Sequence, residues 1–129
     1  MRKAILLSLL FPVLIFAQSN QPPEAKKPDV WEPMKYLVGK WEGSSQGQPG
    51  EGAVEREYGF ILNGKYLQVK NKSVYKPQEK NPKGEVHEDR GYISIDRTRR
   101  LFVFRQFHVE GFVNTYVAPP GDTPLVFTS

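Results

Sequence analysis

Cysteine is absent from this chain of 129 residues. Its absence excludes zinc–thiolate centres and cysteine nucleophiles. It also excludes disulfides, so that stability must come from the hydrophobic core alone. The chain has neither a Gly-x-Ser-x-Gly elbow nor a phosphate-binding loop. Nucleophilic catalysis therefore has no support in the sequence.

Long hydrophobic runs are missing as well. The longest apolar stretch, residues 4–16, is shorter than the roughly 20 residues that a membrane-spanning helix needs. The basic residues Arg2 and Lys3 precede it, and the small residue Ala17 follows it. This order predicts a secretory signal peptide over residues 1–17 and an exported protein, periplasmic or secreted. An uncleaved membrane anchor is the alternative; after cleavage we expect no stable membrane insertion.

A clustered basic face is the third feature that the sequence lacks. Cleavage removes two basic residues, so that 18 become 16 against 14 acidic ones and the net charge falls from +4 to +2. The densest basic segment, 97–100, is typical of a solvated turn between two strands. Because nucleic-acid binding needs clustered Lys and Arg side chains, we predict no nucleic-acid partner.

The remainder of the chain indicates one β-rich domain. Residues 18–30 are polar and proline-rich, as in disordered linkers, and the domain covers residues 31–129. A short N-terminal helical turn is predicted at 31–38. The strongest hairpin signal is Asn63-Gly64, because both turn positions take positive φ. Strands are predicted at 40–46, 53–62, 65–75, 87–96, 100–108, 112–118 and 125–128.

Short strands joined by turns predict an all-β fold, an antiparallel up-and-down meander that forms a barrel. Up-and-down barrels usually contain eight or more strands, and this pattern supplies seven. We therefore expect a C-terminally truncated barrel; the alternative is a barrel that closes unusually early.

The segment Gly39-Lys40-Trp41 resembles the opening of the calycin-type barrels: lipocalins, fatty-acid-binding proteins and the nitrobindin-like haem-binding barrels. In these families a short helical turn precedes a glycine-x-tryptophan, and the tryptophan closes the barrel floor. Gly43 and Gly47 are similar to the glycine-spaced first strand of the nitrobindin-like group. The resemblance implies that the chain is an exported bacterial member of the calycin-like barrels, with a ligand site in the barrel interior.

The nitrobindin-like group also implies haem, held by a histidine near the end of the chain. This sequence has no histidine after His108. Residues 46–50 also replace the tyrosine-proline segment that follows the first strand in that group. Haem is therefore implied by the resemblance alone and not supported by the residues present. The expected partner is an apolar or amphipathic small molecule.

The hairpin around residues 96–99 predicts a candidate site. A turn centred between Arg97 and Thr98 sets His87 directly opposite His108, about 4.5–5.5 Å apart at Cβ. One face of this hairpin is apolar near the turn and polar at its far end, as in small-molecule pockets. The predicted ligand-binding residues are His87, Asp89, Phe102, Phe104, Gln106 and His108, extended by Asn114 and Tyr116 on the next strand.

Three functions remain open on the sequence. An exported small-molecule-binding barrel is favoured, although this choice rests partly on analogy of fold. The second is a metal-assisted hydrolase that uses His87, Asp89 and His108, with Glu85 or Glu110 as a further oxygen ligand. The third is a structural envelope protein whose barrel is packed solid. No catalytic residue or metal ligand is assigned, because two polar side chains at a sheet rim often bind only water or backbone.

Overall fold

The computed structural model describes residues 26–122 and 124–129, in which six strands form one sheet. After a 3-10 helix at Glu32–Leu37, the strands are β1 (Gly39–Gly47), β2 (Gly50–Ile61), β3 (Tyr66–Tyr75), β4 (Glu85–Asp96), β5 (Leu101–His108) and β6 (Val113–Ala118). Every strand pairs antiparallel with its neighbours in chain order. The predicted antiparallel meander is confirmed. Within the described residues, no hydrogen bonds join β1 to β6 and close the sheet.

Three predicted segments differ from this architecture or lie outside the described residues. The predicted signal peptide, 1–17, and residues 18–25 of the predicted linker lie outside the described residues. The predicted seventh strand forms a single bridge, between Thr128 and Val117. Pro119, Pro120 and Pro124 precede this bridge and carry no N–H donors, which prevents a longer ladder. No helix in the described part of the chain is long and apolar enough to span a membrane.

The 3-10 helix covers one face of the sheet, which we call the inner face. Pro33 stands at its first turn, where a missing N–H costs nothing. Trp31 packs with its ring centroid 5.5 Å from that of Phe60 and 5.6 Å from that of Phe102. Trp41, in contrast, is 47% exposed. The buried core consists of Trp31, Met34, Leu67, Val69, Ile93, Phe102 and Ala118.

Side-chain alternation assigns the β4–β5 hairpin to the inner face as predicted. Asp89, Gly91 and Ile93 are buried, whereas Arg90 between them is exposed. Gly91 has a steric role, because a Cβ there would lie 2.3 Å from the ring of Phe104. The sheet therefore presents the odd-numbered residues 87–95 and the even-numbered residues 102–108 to the 3-10 helix.

The predicted register of this hairpin is wrong by two residues. Asp89, and not His87, is the direct partner of His108. The reason is the turn: Asp96 Oδ1 accepts hydrogen bonds from the backbone N–H groups of Thr98 (3.0 Å) and Arg99 (2.9 Å). This lengthens the loop to four residues, and Arg100 takes a φ of 58°. A shift of two residues preserves the face of every side chain.

The β2–β3 hairpin forms where the Asn63-Gly64 pair predicts it. Asn63 has a φ of 56° and Gly64 a φ of 72°. The Lys65 N–H donates to the Leu62 carbonyl at 3.2 Å. The pairing of Ile61 with Tyr66 outside this turn then sets the register of the whole hairpin.

The inner face should carry most of the folding free energy. Phe102 is fully buried, at 0% exposure, whereas Phe107 on the opposite face of the same strand is 44% exposed. We expect Phe102→Ala to lower the free energy of unfolding by about 3–5 kcal/mol, because the lost contacts leave a cavity. Phe107→Ala should cost clearly less. Urea titration of both variants measures these free energies of unfolding. Equal losses in the two variants would contradict the assignment of the core to the inner face.

Candidate functional site

A cavity of about 230 Å³ lies on the inner face, between the 3-10 helix, the sheet and residues 124–129. Its apolar lining includes Met34, Leu37, Val69, Ile93, Phe104, Leu125 and Phe127, and its polar lining is Arg56, Asn71, Asp89 and Gln106. A mainly apolar wall with a few convergent polar groups is the usual composition of a small-molecule site. We call this space the inner cavity.

The polar lining is organised as a row across three strands. Arg56 lies opposite Asn71 in the β2–β3 pairing, and Asn71 lies opposite Asp89 in the β3–β4 pairing. Arg56 Nε donates to Asn71 Oδ1 at 2.8 Å, and Asn71 Nδ2 donates to Asp89 Oδ2 at 2.8 Å. The Asn71 amide thus holds one carboxylate oxygen of Asp89 in place, and the Arg56 guanidinium holds the Asn71 amide in place.

The other oxygen of Asp89 is unusual. Asp89 is 3% exposed, and its Oδ1 is the one buried side-chain polar atom without a hydrogen-bond partner among the described residues. Leaving a buried acceptor unsatisfied costs about 1–3 kcal/mol, and more for a charged group. Buried polar atoms are nearly always paired in native proteins, so this exception calls for a partner such as a water, an ion or a ligand.

A second cluster lies at the rim of the sheet, where β4, β5 and the β5–β6 turn meet. Asn114 Nδ2 donates to His108 Nε2 at 3.2 Å. His108 must then carry its proton on Nδ1, which lies 3.2 Å from His87 Nε2. His87 in turn carries its proton on Nδ1 and donates to Glu110 Oε1 at 2.7 Å. We call these four side chains the histidine chain.

The surroundings hold the histidine chain in place. The ring of Phe112 stacks on that of His108 with centroids 4.1 Å apart. The backbone N–H of Glu110 hydrogen-bonds to its own carboxylate and lowers the pKa of that group, and the hydrogen bond from His87 lowers it further. Glu110 is therefore a carboxylate at neutral pH and an acceptor for the His87 proton.

The structure distributes the predicted site residues over three places. Asp89, Phe104 and Gln106 line the inner cavity, whereas His87, His108 and Asn114 belong to the histidine chain. Phe102 lies in the buried core, and Tyr116 packs against Phe104 with centroids 5.9 Å apart. The two clusters approach each other where His87 Nε2 lies 3.9 Å from Asp89 Oδ2.

Sequence reasoning missed Arg56 and Asn71. Their signal was present, since each lies on one face of its strand next to an apolar residue: Arg56 stands two residues before Tyr58, and Asn71 two residues after Val69. Met34 and Phe127 were also missed as lining residues. Nothing in their local sequence shows that the 3-10 helix and residues 124–129 meet over the same part of the sheet.

Comparison of the chain with protein-family models, curated proteins and solved structures finds no match. The site must therefore be interpreted from its own geometry. Haem held by a histidine, which the resemblance to the nitrobindin-like group implies, does not fit the inner cavity: the lining given by the described residues contains no histidine. Its volume also lies below the roughly 300 Å³ at which pockets for drug-sized ligands begin.

The tautomer of each histidine in the histidine chain can be measured. At about pH 8 we expect both imidazoles to be the Nδ1–H tautomer, because each Nε2 accepts a hydrogen bond. Long-range ¹H–¹⁵N correlation spectra distinguish the two tautomers directly. Asn114→Asp replaces the donor to His108 with an acceptor and should move the His108 proton to Nε2. An Nε2–H tautomer of either ring in the native chain would contradict this arrangement.

Proposed function

We propose that the protein binds a small amphipathic ligand in the inner cavity, with an apolar body and a head group that donates hydrogen bonds. The observation that carries the proposal is the buried Asp89 carboxylate, which lines the cavity and whose Oδ1 has no hydrogen-bond partner among residues 26–122 and 124–129. A ligand ammonium or amine supplies the missing donor, and hydrogen bonds to a charged group contribute about 1.5–3 kcal/mol.

The apolar part of the lining defines the body of the ligand. Phe127 meets Phe104 edge-on with centroids 5.9 Å apart, and both rings line the cavity with Ile93 and Val69. A volume of about 230 Å³ is smaller than the sites of drug-sized molecules. The best candidates are therefore single-ring or short-chain amines, and larger lipids are disfavoured.

We also retain, as part of this proposal, the calycin-like barrel and the export of the protein. The Trp41 indole N–H donates to the Leu37 carbonyl at 2.6 Å, which links the 3-10 helix to β1. This link, the meander order and the position of the 3-10 helix over the inner face support a barrel with an internal site. Export rests on the order of residues in segment 1–17.

The head-group preference is tested with three ligands of similar shape: 2-phenylethylamine, 2-phenylethanol and 3-phenylpropionate. We expect the amine to bind about tenfold or more tightly than the alcohol, because only the ammonium offers a charged donor to Asp89, and the carboxylate to bind least, because its charge repels that of Asp89. Asp89→Asn should abolish the preference for the amine. The control is Glu88→Gln, which removes a carboxylate from the neighbouring residue on the outer face. Calorimetry or ligand-observed NMR measures the affinities.

The location of binding is tested by filling the cavity. Leu125 lines it and Val126 is exposed beside it. Leu125→Trp should block binding of the amine, whereas Val126→Trp should leave it intact. Equal affinity for all three ligands, binding by none of them, or an amine preference that survives Asp89→Asn would overturn the proposal.

A further inference from the structure

We propose that the histidine chain is a binding site for a divalent transition metal such as Zn²⁺, with His87, His108 and Glu110 as the protein ligands. This site is distinct from the inner cavity, whose lining includes none of the three. One ligand atom from each of the three side chains lies within 4.8 Å of the others. Two imidazoles and one carboxylate form a ligand set typical of catalytic zinc sites, in which a fourth position remains open.

The spacing of the two imidazoles supports a metal. His87 Nε2 and His108 Nδ1 lie 3.2 Å apart. In a tetrahedral site with zinc–nitrogen bonds of about 2.0–2.1 Å, two ligand nitrogens are about 3.3 Å apart. A metal ion can therefore take the place of the shared proton between the two rings. Glu110 Oε1 bonds to the other nitrogen of His87, Nδ1, so this exposed side chain completes the site by rotating from that nitrogen towards the ion.

The surrounding groups match those that orient metal ligands elsewhere. Ligating histidines usually bond through the second ring nitrogen to a carboxylate, carbonyl or water, and this contact fixes the ring. Here Asn114 contacts the second nitrogen of His108, and Phe112 stacks on the same ring. When a metal occupies His108 Nδ1, the proton moves to Nε2, and rotation of the Asn114 amide by 180° offers Oδ1 to accept it.

The charge and position of the cluster also favour a cation. The Glu110 carboxylate bonds directly to His87, and the Asp89 carboxylate lies 3.9 Å from His87 Nε2. Both imidazoles are neutral in the hydrogen-bonding pattern, which leaves the cluster negative. The histidines are only partly buried and Glu110 is exposed, so that an ion can enter from solvent without opening the sheet.

The test is a Zn²⁺ titration of the complete chain without an affinity tag, by calorimetry or by competition with a coloured indicator. The chain has two histidines and no cysteine, so a histidine-dependent affinity reports on this cluster alone. We expect one equivalent of Zn²⁺ per chain, with ¹⁵N shifts of both imidazoles changing together up to that equivalent. Co²⁺ substitution should give the visible spectrum of a four- or five-coordinate site.

Variants then assign the ligands. His108→Ala and His87→Ala should each weaken binding at least 100-fold, and Glu110→Gln roughly 10–100-fold. Glu79→Gln, an exposed carboxylate in the β3–β4 loop, is the matched control and should not change the affinity. Because Glu110 is exposed, its variant tests the site even where a histidine variant fails to fold. The proposal would be overturned if the double variant His87→Ala/His108→Ala bound Zn²⁺ as tightly as the native chain does.

Discussion

The burial of one carboxylate, that of Asp89, is the constraint on which the rest of the molecule depends. A buried charge is tolerated only where hydrogen bonds hold it, and here Asn71 binds one of its oxygens and Arg56 holds Asn71. These contacts exist only if β2, β3 and β4 keep their register, because each partner stands directly opposite the next. Asp89 then contributes to the polar lining of the inner cavity, and its Oδ1 is the one buried side-chain polar atom without a hydrogen-bond partner in the part of the chain that the structure describes.

The same carboxylate separates two regions of different chemistry. Toward the 3-10 helix, the inner face is apolar and closes over Ile93, Phe102 and Leu67. Toward the rim, the next inner-face residue of β4 is His87, which begins the contacts with His108 and Glu110. This one strand therefore supplies a core residue (Ile93), a residue of the cavity wall (Asp89) and a proposed metal ligand (His87) in succession. With His87 Nε2 3.9 Å from Asp89 Oδ2, the charge state of either region acts electrostatically on the other.

Much of the fold could be predicted because it depends on local rules. Alternation of side chains identifies the inner face of β4 and β5, and Asn63-Gly64 identifies the β2–β3 turn. The β4–β5 register could not be predicted, because it depends on two hydrogen bonds from Asp96 that lengthen the loop. His87 and His108 still meet, since a shift of two residues leaves both on the same face.

The candidate site was predicted only in part, for a related reason. The hairpin supplies Asp89, Phe104 and Gln106, all within one local pairing. Arg56 and Asn71 come from strands whose pairing with β4 depends on every turn between them. Met34 and Phe127 cover the inner cavity because the 3-10 helix and residues 124–129 pack over the sheet. The alternation of residues within a strand carries no information about this packing.

The central claim is that the negative charge of Asp89 serves a ligand and not the stability of the fold. The direct measurement is the free energy of unfolding of the native chain and of Asp89→Asn, each with and without saturating 2-phenylethylamine. The account predicts that Asp89→Asn is at least as stable as the native chain without ligand, because it removes a buried unpartnered charge. With ligand, only the native chain should gain stability. The account would be contradicted if Asp89→Asn were less stable than the native chain without ligand and if the ligand raised its free energy of unfolding as much as it raises that of the native chain.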